Sequence, residues 1–260
     1  MSNSLKNKIA LVTGGGRGIG RSISERLAEE GAIVAINYRN DVESANETLR
    51  NIDTNGGVGK IFKASIDDEN EAKAMVDQIK REFGVVDILI NNAGIASKGK
   101  SVERTDPEEL LQVMRIHALA PHRMCQLVLP DMKKKKKGNI VMISSVATLG
   151  QAAGGAPYNM GKSAMESLAL TLAKEVRKHG IRVNIVAPGI VETEMGDRLI
   201  QAVVGVESIQ EIALKMPFER LCQPQDVANA VHFLVSEEAS YITGEKINVW
   251  GGGETISGMA

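Results

Sequence analysis

The sequence predicts an α/β fold, a doubly wound parallel sheet of about seven strands with helices on both faces. Pattern and composition carry that expectation. Short, almost wholly apolar runs alternate with longer amphipathic stretches, as strands must when helices cover both faces of their sheet. Gly supplies 26 of the 260 residues while aromatic residues reach only 3%. The core is therefore aliphatic and the backbone turns tightly. At 43% hydrophobic and 24% charged, the chain has a globular composition that excludes wholesale disorder.

The strand-like runs are Lys8–Thr13, Ile33–Asn37, Gly59–Ala64, Asp87–Asn91, Gly138–Ser144, Ile181–Ala187 and Lys246–Val249. Helix-like stretches lie between them at Gly18–Glu30, Asp41–Thr54, Asp68–Phe83, Asp106–Met132, Ala156–Lys178 and Gln225–Val235. Asp41 reads as a helix N-cap. No linker, repeat or low-complexity segment interrupts the alternation, so residues 1–260 read as one domain. Val191–Met216 breaks it, being too long for a simple connection. Its Ile200, Val203, Val204, Val206, Ile209 and Ile212 suit a helical substrate lid or ordinary packing onto the domain. The lysines at Lys133–Lys137 read as a solvated turn, or as a patch for an acidic partner.

Charge and cysteine usage narrow the classes. Lys plus Arg number 31 against 32 for Asp plus Glu, a net charge of -1, which gives no global attraction to nucleic acid or to an anionic membrane. Cys125 and Cys222 stand far apart without metal-ligand spacing, so neither a metal site nor a disulfide is expected. The apolar run after Lys6 and Lys8 is too short for a signal peptide, and no stretch reaches the roughly 18 apolar residues of a membrane span. A cytoplasmic location is the expectation.

Strand one runs into Thr13-Gly14-Gly15-Gly16-Arg17-Gly18-Ile19-Gly20, and a helical pattern follows. Glycines allow a tight turn and close approach by a pyrophosphate, while the helix N-terminus offers oriented N–H groups. The next strand ends in Asn37-Tyr38-Arg39, where an NAD-type ribose reader would be acidic. Arg39 there, with Arg17 in the glycine loop, suits a ribose 2′-phosphate and favours NADP(H). Tyr158 and Lys162 lie four residues apart in a helical stretch, on one face. A neighbouring ammonium lowers a phenol's pKa, so the pair is a plausible acid/base for interconverting a carbonyl and an alcohol.

Thr13–Gly20, Asn91-Asn92-Ala93-Gly94, Ser144-Ser145, Tyr158-Asn159-Met160-Gly161-Lys162, Pro188-Gly189 and Thr193 occur in that order. Together they resemble the short-chain dehydrogenase/reductase family, with its Rossmann-type fold, over essentially the whole chain. Asp226–Ala230 and Tyr241–Glu245 through Gly251-Gly252 are similar to bacterial 3-oxoacyl-(acyl-carrier-protein) reductases within it. The resemblance implies Tyr158 as proton donor, Lys162 lowering its pKa and bonding the nicotinamide ribose, and Ser145 polarising the carbonyl, with Ser144 the alternative. It further implies Gly14, Arg17, Gly18, Ile19 and Gly20 at the pyrophosphate. Ser65, Ile66, Asn92, Ala93 and Gly94 would line adenine and ribose, and Pro188, Gly189, Val191 and Thr193 the nicotinamide end. Where the family carries a relay Asn, this chain has His117, which is either a proton shuttle or a packed core histidine.

The expected activity is NADPH-dependent reduction of a ketone, with 3-oxoacyl thioesters the leading substrates and an acyl carrier protein a possible partner. The alternatives are a dehydrogenase of sugar, polyol or steroid alcohols and a non-catalytic NADP(H)-binding regulator. The family also implies a homotetramer.

Overall fold

The structure, a computed structural model, describes residues 3–197, 213–214 and 216–253. Its strands are β1 (Ile9–Val12), β2 (Ile33–Tyr38), β3 (Val58–Lys63), β4 (Ile88–Asn91), β5 (Gly138–Ile143), β6 (Ile181–Pro188) and β7 (Lys246–Val249). They form one seven-stranded sheet in the order β3-β2-β1-β4-β5-β6-β7, with every neighbouring pair parallel. The doubly wound sheet expected from the alternation is present. From β1 the chain winds outward to β3, then returns to β4 on the other side of β1. The C-terminal ends of β1 and β4 therefore flank the crevice where dinucleotides bind in such sheets.

Eight α-helices are described: α1 (Gly18–Glu29), α2 (Val42–Thr54), α3 (Glu69–Glu82), α4 (Pro107–Met114), α5 (Ala120–Lys135), α6 (Ala147–Gly150), α7 (Ala156–Val176) and α8 (Pro224–Val235). Strand periodicity sorts the core into two layers. Leu11, Leu89, Ile140 and Ile185 face Ile79, Met124, Val128 and Met165 of α3, α5 and α7. Val12, Ile90, Val141 and Ile143 face Ile23, Leu27, Ile52, Val231 and Leu234 of α1, α2 and α8. Each such side chain, withdrawn from water, contributes about 1.5–3 kcal/mol. Asp41, Asp68 and Asp106 cap α2, α3 and α4 by accepting backbone N–H groups, as the Asp41 reading anticipated.

The structure departs from the pattern in two places. Edge strand β3 is less apolar than the central strands, with Val58, Lys60 and Lys63 exposed, and its lysines discourage pairing with another sheet. Asp106–Met132, read as a single helix, is broken by a π-helical turn at Arg115–Leu119. Pro121 explains it, because it has no N–H to offer the carbonyl of His117 four residues back. The chain widens instead, and Ala120 N–H reaches Arg115 O five residues back. The greater part of the Val191–Met216 segment, including all six apolar residues assigned to a lid, lies outside the described residues.

The lysine run closes α5. Lys133, Lys134 and Lys135 occupy its last turn, where cations complement the helix dipole, and Lys136 turns left-handed at φ 51°. Lys135 pairs with Asp87 at 2.8 Å and Lys137 with Glu237 at 2.6 Å. Among the described residues, no helix is long and apolar enough to cross a membrane.

Candidate active site

The glycine loop follows directly from β1 and is braced by its neighbours. Gly14 and Gly18 adopt φ values of +59° and +52°, which β-carbon-bearing residues disfavour. A β-carbon on Gly20 would lie 2.1 Å from the carbonyl oxygen of Gly14 and 2.6 Å from Asn92 Nδ2, so α1 can pack against the loop only with glycine there. Asn92 Nδ2 donates to Thr13 O at 2.9 Å and Gly14 O at 3.1 Å, while Thr13 Oγ1 accepts from the N–H groups of Asn92 and Ala93. Buried Asn37 accepts from Gly14 N–H at 3.2 Å through Oδ1. The side chains of Asn92 and Asn37 thus hold the loop, which presents the start of α1 at the crevice.

Across β4 and β5, α7 brings together the residues expected to serve as acid and base. Lys162 is buried and donates to Ile143 O at 2.7 Å, and its Nζ lies 5.7 Å from the centre of the Tyr158 ring. Ser145 lies beside Tyr158, and its Oγ accepts from Ala147 N–H at 3.2 Å. Burial pushes the phenol above its ordinary value, and the Ser145 hydroxyl opposes it. Burial likewise pushes Lys162 down to about 7, opposed by the Glu166 carboxylate one turn further along α7. Among the protein's own groups, desolvation therefore outweighs the ammonium effect expected at Tyr158, and the neutral phenol is favoured. Of the paired serines, Ser144 is buried and donates to Glu166 Oε1 at 2.5 Å. Ser145 is the one that faces Tyr158.

His117, delivered by the π-helical turn, is 1% exposed. Its ring stands edge-on to Tyr158, with centroids 5.3 Å apart and planes at 78°. Nε2 lies 2.8 Å from Ile95 O and 3.3 Å from Ile95 N. The shorter contact requires hydrogen on Nε2, leaving Nδ1 as an acceptor. Nδ1 is buried with no partner in the structure.

The other expected positions are spread around the crevice. Arg17 is exposed and pairs with Glu194 at 2.8 Å, while Arg39 is exposed at the end of β2. Ser65 N–H donates to Glu71 at 2.7 Å, and the Ile66 side chain packs into the core, so only its backbone faces outward. Pro188 ends β6, Gly189 N–H donates to Val249 O at 3.0 Å, and Val191 is buried. Thr193 Cγ2 would lie 3.4 Å from a β-carbon on Gly18, so this loop closes against the glycine loop. Ile19 packs against the α1–α8 layer of the core. A hollow of about 520 Å³ runs along the outer face of α7 between Thr148 and Lys174 and is lined by none of Ser145, Tyr158 and Lys162. Chemistry rather than concavity locates the site. No metal-ligand cluster occurs among the described residues, and burial raises the Cys125 thiol to about 12.

A family model described as enoyl-(acyl carrier protein) reductase matches residues 14–254. The chain belongs to the short-chain dehydrogenase/reductase family. A 3alpha-hydroxysteroid dehydrogenase of Mediterraneibacter gnavus is 37% identical over 249 residues, covering 95% of this chain and 97% of that protein. A 3-oxoacyl-(acyl-carrier-protein) reductase of Escherichia coli (strain K12) is 38% identical over 252 residues, covering 96% and 98%. The crystal structure of an NAD+-bound xylitol dehydrogenase superposes with a TM-score of 0.88 at 26% identity, covering 95% of this chain and 99% of that one.

Within this short-chain dehydrogenase/reductase, Asn37 and Glu166 escaped the sequence reading. Each left a trace: Asn37 is a polar residue closing an apolar strand, and Glu166 stands one helical turn after Lys162. Glu166 Oε1 accepts from Ser144 and from Thr148 Oγ1 at 2.9 Å, and pairs with Lys246 at 2.8 Å, tying the serine loop to α7 and β7. His117 carries a pH consequence. Burial, and secondarily the Lys162 ammonium, holds its pKa at about 3 against an ordinary 6.5. Between those values the unfolded chain binds a proton that the folded chain refuses. Its contribution is thus whole above pH 6.5 and falls as the pH drops toward 3, by about 1.4 kcal/mol per unit at most. Urea titrations at pH 7 and pH 5 are expected to show this loss in the native protein and a smaller one in His117→Asn. Equal pH slopes would show that the imidazole titrates normally.

Proposed function

We propose that the chain is an NADP(H)-dependent oxidoreductase that reduces a ketone to a secondary alcohol, with 3-oxoacyl thioesters as the leading substrate class. The observation that carries this reading is the buried Lys162, anchored on Ile143 O with its Nζ 5.7 Å from the centre of the Tyr158 ring, beside Ser145. The glycine loop fits a dinucleotide: only glycine is tolerated at Gly20, and the positive end of α1 points into the crevice. Gly14, Gly18, Ile19 and Gly20 would hold the pyrophosphate through their backbone. Ser65, Ile66, Ala93 and Gly94 would line adenine and ribose. Pro188, Gly189, Val191 and Thr193 would bound the nicotinamide end. When bound, the nicotinamide supplies the hydride.

The chain's own residues do the rest. Ser145 Oγ donates to the substrate carbonyl and orients it beside Tyr158. Tyr158 Oη, kept protonated by its surroundings, gives its proton to the oxygen as negative charge develops there. Lys162, held by Ile143 O, stabilises the resulting phenolate and offers a hydrogen bond to the ribose. His117 offers a route for the replacement proton. A neutral phenol at rest suits the reductive direction.

The test is NADPH consumption followed spectrophotometrically with acetoacetyl thioesters beside steroid ketones, sugars and simple diketones. Preference for the thioester supports the reading. The M. gnavus relative favours a second one, reduction or oxidation at a steroid carbon, and a steroid preference would replace the first. NADPH binding without turnover on any of them would leave only a cofactor-binding role. The lysines at the end of α5 that stay on the open turn, Lys133, Lys134 and Lys136, are the surface for an acyl carrier protein's acidic helix.

Arg39 is the proposed reader of the 2′-phosphate, since the ion pair with Glu194 occupies Arg17. Arg39→Asp is expected to lower the NADPH-to-NADH ratio of kcat/KM by about 10- to 100-fold, the worth of a charge-assisted hydrogen bond. An unchanged ratio would remove Arg39 from this role.

A further inference from the structure

We propose that Gly94 and Gly161 are positioning residues for His117: their missing side chains form the slot that holds the imidazole edge-on to Tyr158 with Nε2–H on the Ile95 carbonyl. A β-carbon on Gly94 would come 2.7 Å from His117 Cε1, and one on Gly161 would come 2.9 Å from His117 Cβ. The ring is therefore gripped at its tip by the loop after β4 and at its root by α7. Neither glycine is demanded by its backbone, because neither has a positive φ. Gly161 even lies inside α7, where glycine disfavours a helix relative to alanine. Space for His117 is what each glycine provides.

The slot has a chemical result. A ring that cannot tilt or flip keeps Nε2 on Ile95 O at 2.8 Å and leaves Nδ1 as a buried acceptor. The titratable groups that face it are Tyr158 and Lys162 of α7, and the Ile95 backbone meets its Nε2. A neutral imidazole of fixed tautomer can accept a proton-bearing group at one nitrogen only, which gives a relay a direction. The catalytic consequence rests on the function proposed above; the packing does not.

The test uses the full chain as Gly94→Ala, His117→Asn and the double variant, read by imidazole 15N spectra, by Tm and by the pH profile of kcat. Gly94→Ala is expected to move the His117 nitrogen shifts and to lower kcat about tenfold or more. Gly94→Ala is also expected to lower Tm, and adding it to His117→Asn, which lacks the ring tip, is expected to lower Tm much less. Helix propensity alone would make Gly161→Ala stabilising, whereas the slot requires a lower Tm. The inference is overturned by unmoved nitrogen shifts in Gly94→Ala, by the same loss of Tm from Gly94→Ala in both backgrounds, or by a raised Tm in Gly161→Ala. Should Gly94→Ala fail to fold, folding of the double variant supports the slot and its failure overturns it. Shifts that move in a protein without turnover on any ketone would uphold the slot and defeat the enzymatic reading instead.

Discussion

Tyr158→Phe is expected to lower kcat by about 10²- to 10⁴-fold, the usual worth of a positioned general acid. The substitution removes one oxygen and keeps the ring, so the edge-on packing with His117 survives. Lys162 keeps its bond to Ile143 O, which does not depend on the phenol. NADPH affinity, measured by fluorescence titration, should therefore stay within about twofold, and Tm should hardly move. The split matters more than the size. Loss of cofactor affinity along with turnover would make Tyr158 a structural residue, and retained turnover would move the proton donor elsewhere, with Ser145 next in line.

Gly20→Ala is expected to cost about 1–3 kcal/mol of stability by overpacking, and several degrees of Tm with it. A β-carbon 2.1 Å from Gly14 O meets backbone, and Asn92 and Thr13 prevent that backbone from retreating. Loop and helix must separate. Backbone N–H groups proposed to hold the pyrophosphate then lose their alignment, and NADPH affinity should fall about 10- to 100-fold. Gly150→Ala is the matched control, since nothing lies within 4 Å of a β-carbon there. Wild-type Tm and NADPH affinity in Gly20→Ala would mean that the loop is not locked as described.

Some of this could be read from residue order alone. Ile9–Val12 is apolar throughout and Ile88–Asn91 is apolar up to its last residue, so both need helices on both sides, and the sheet followed from pattern. Asp41 was legible as a cap because N-capping is a local interaction. The π-helical turn was legible in principle, since Pro121 is visible four residues beyond His117. Hydrophobic periodicity concealed it, continuing smoothly through the break.

What the order of residues determined by itself was local: which segments become strands or helices, where glycine permits a turn, and that Tyr158 and Lys162 share a helical face. Tertiary packing decided which serine meets the phenol, for Ser144 is taken by Glu166 and Ser145 is not. It decided that Asn37 and Asn92 brace the glycine loop, and that Tyr158 and Lys162 are governed first by burial. It also placed His117 between Gly94 and Gly161, residues 23 positions before it and 44 after it in the chain. The reason is physical. Periodicity and propensity act over a few residues, whereas desolvation, steric exclusion and hydrogen-bond competition depend on which distant segments the folded sheet brings into contact.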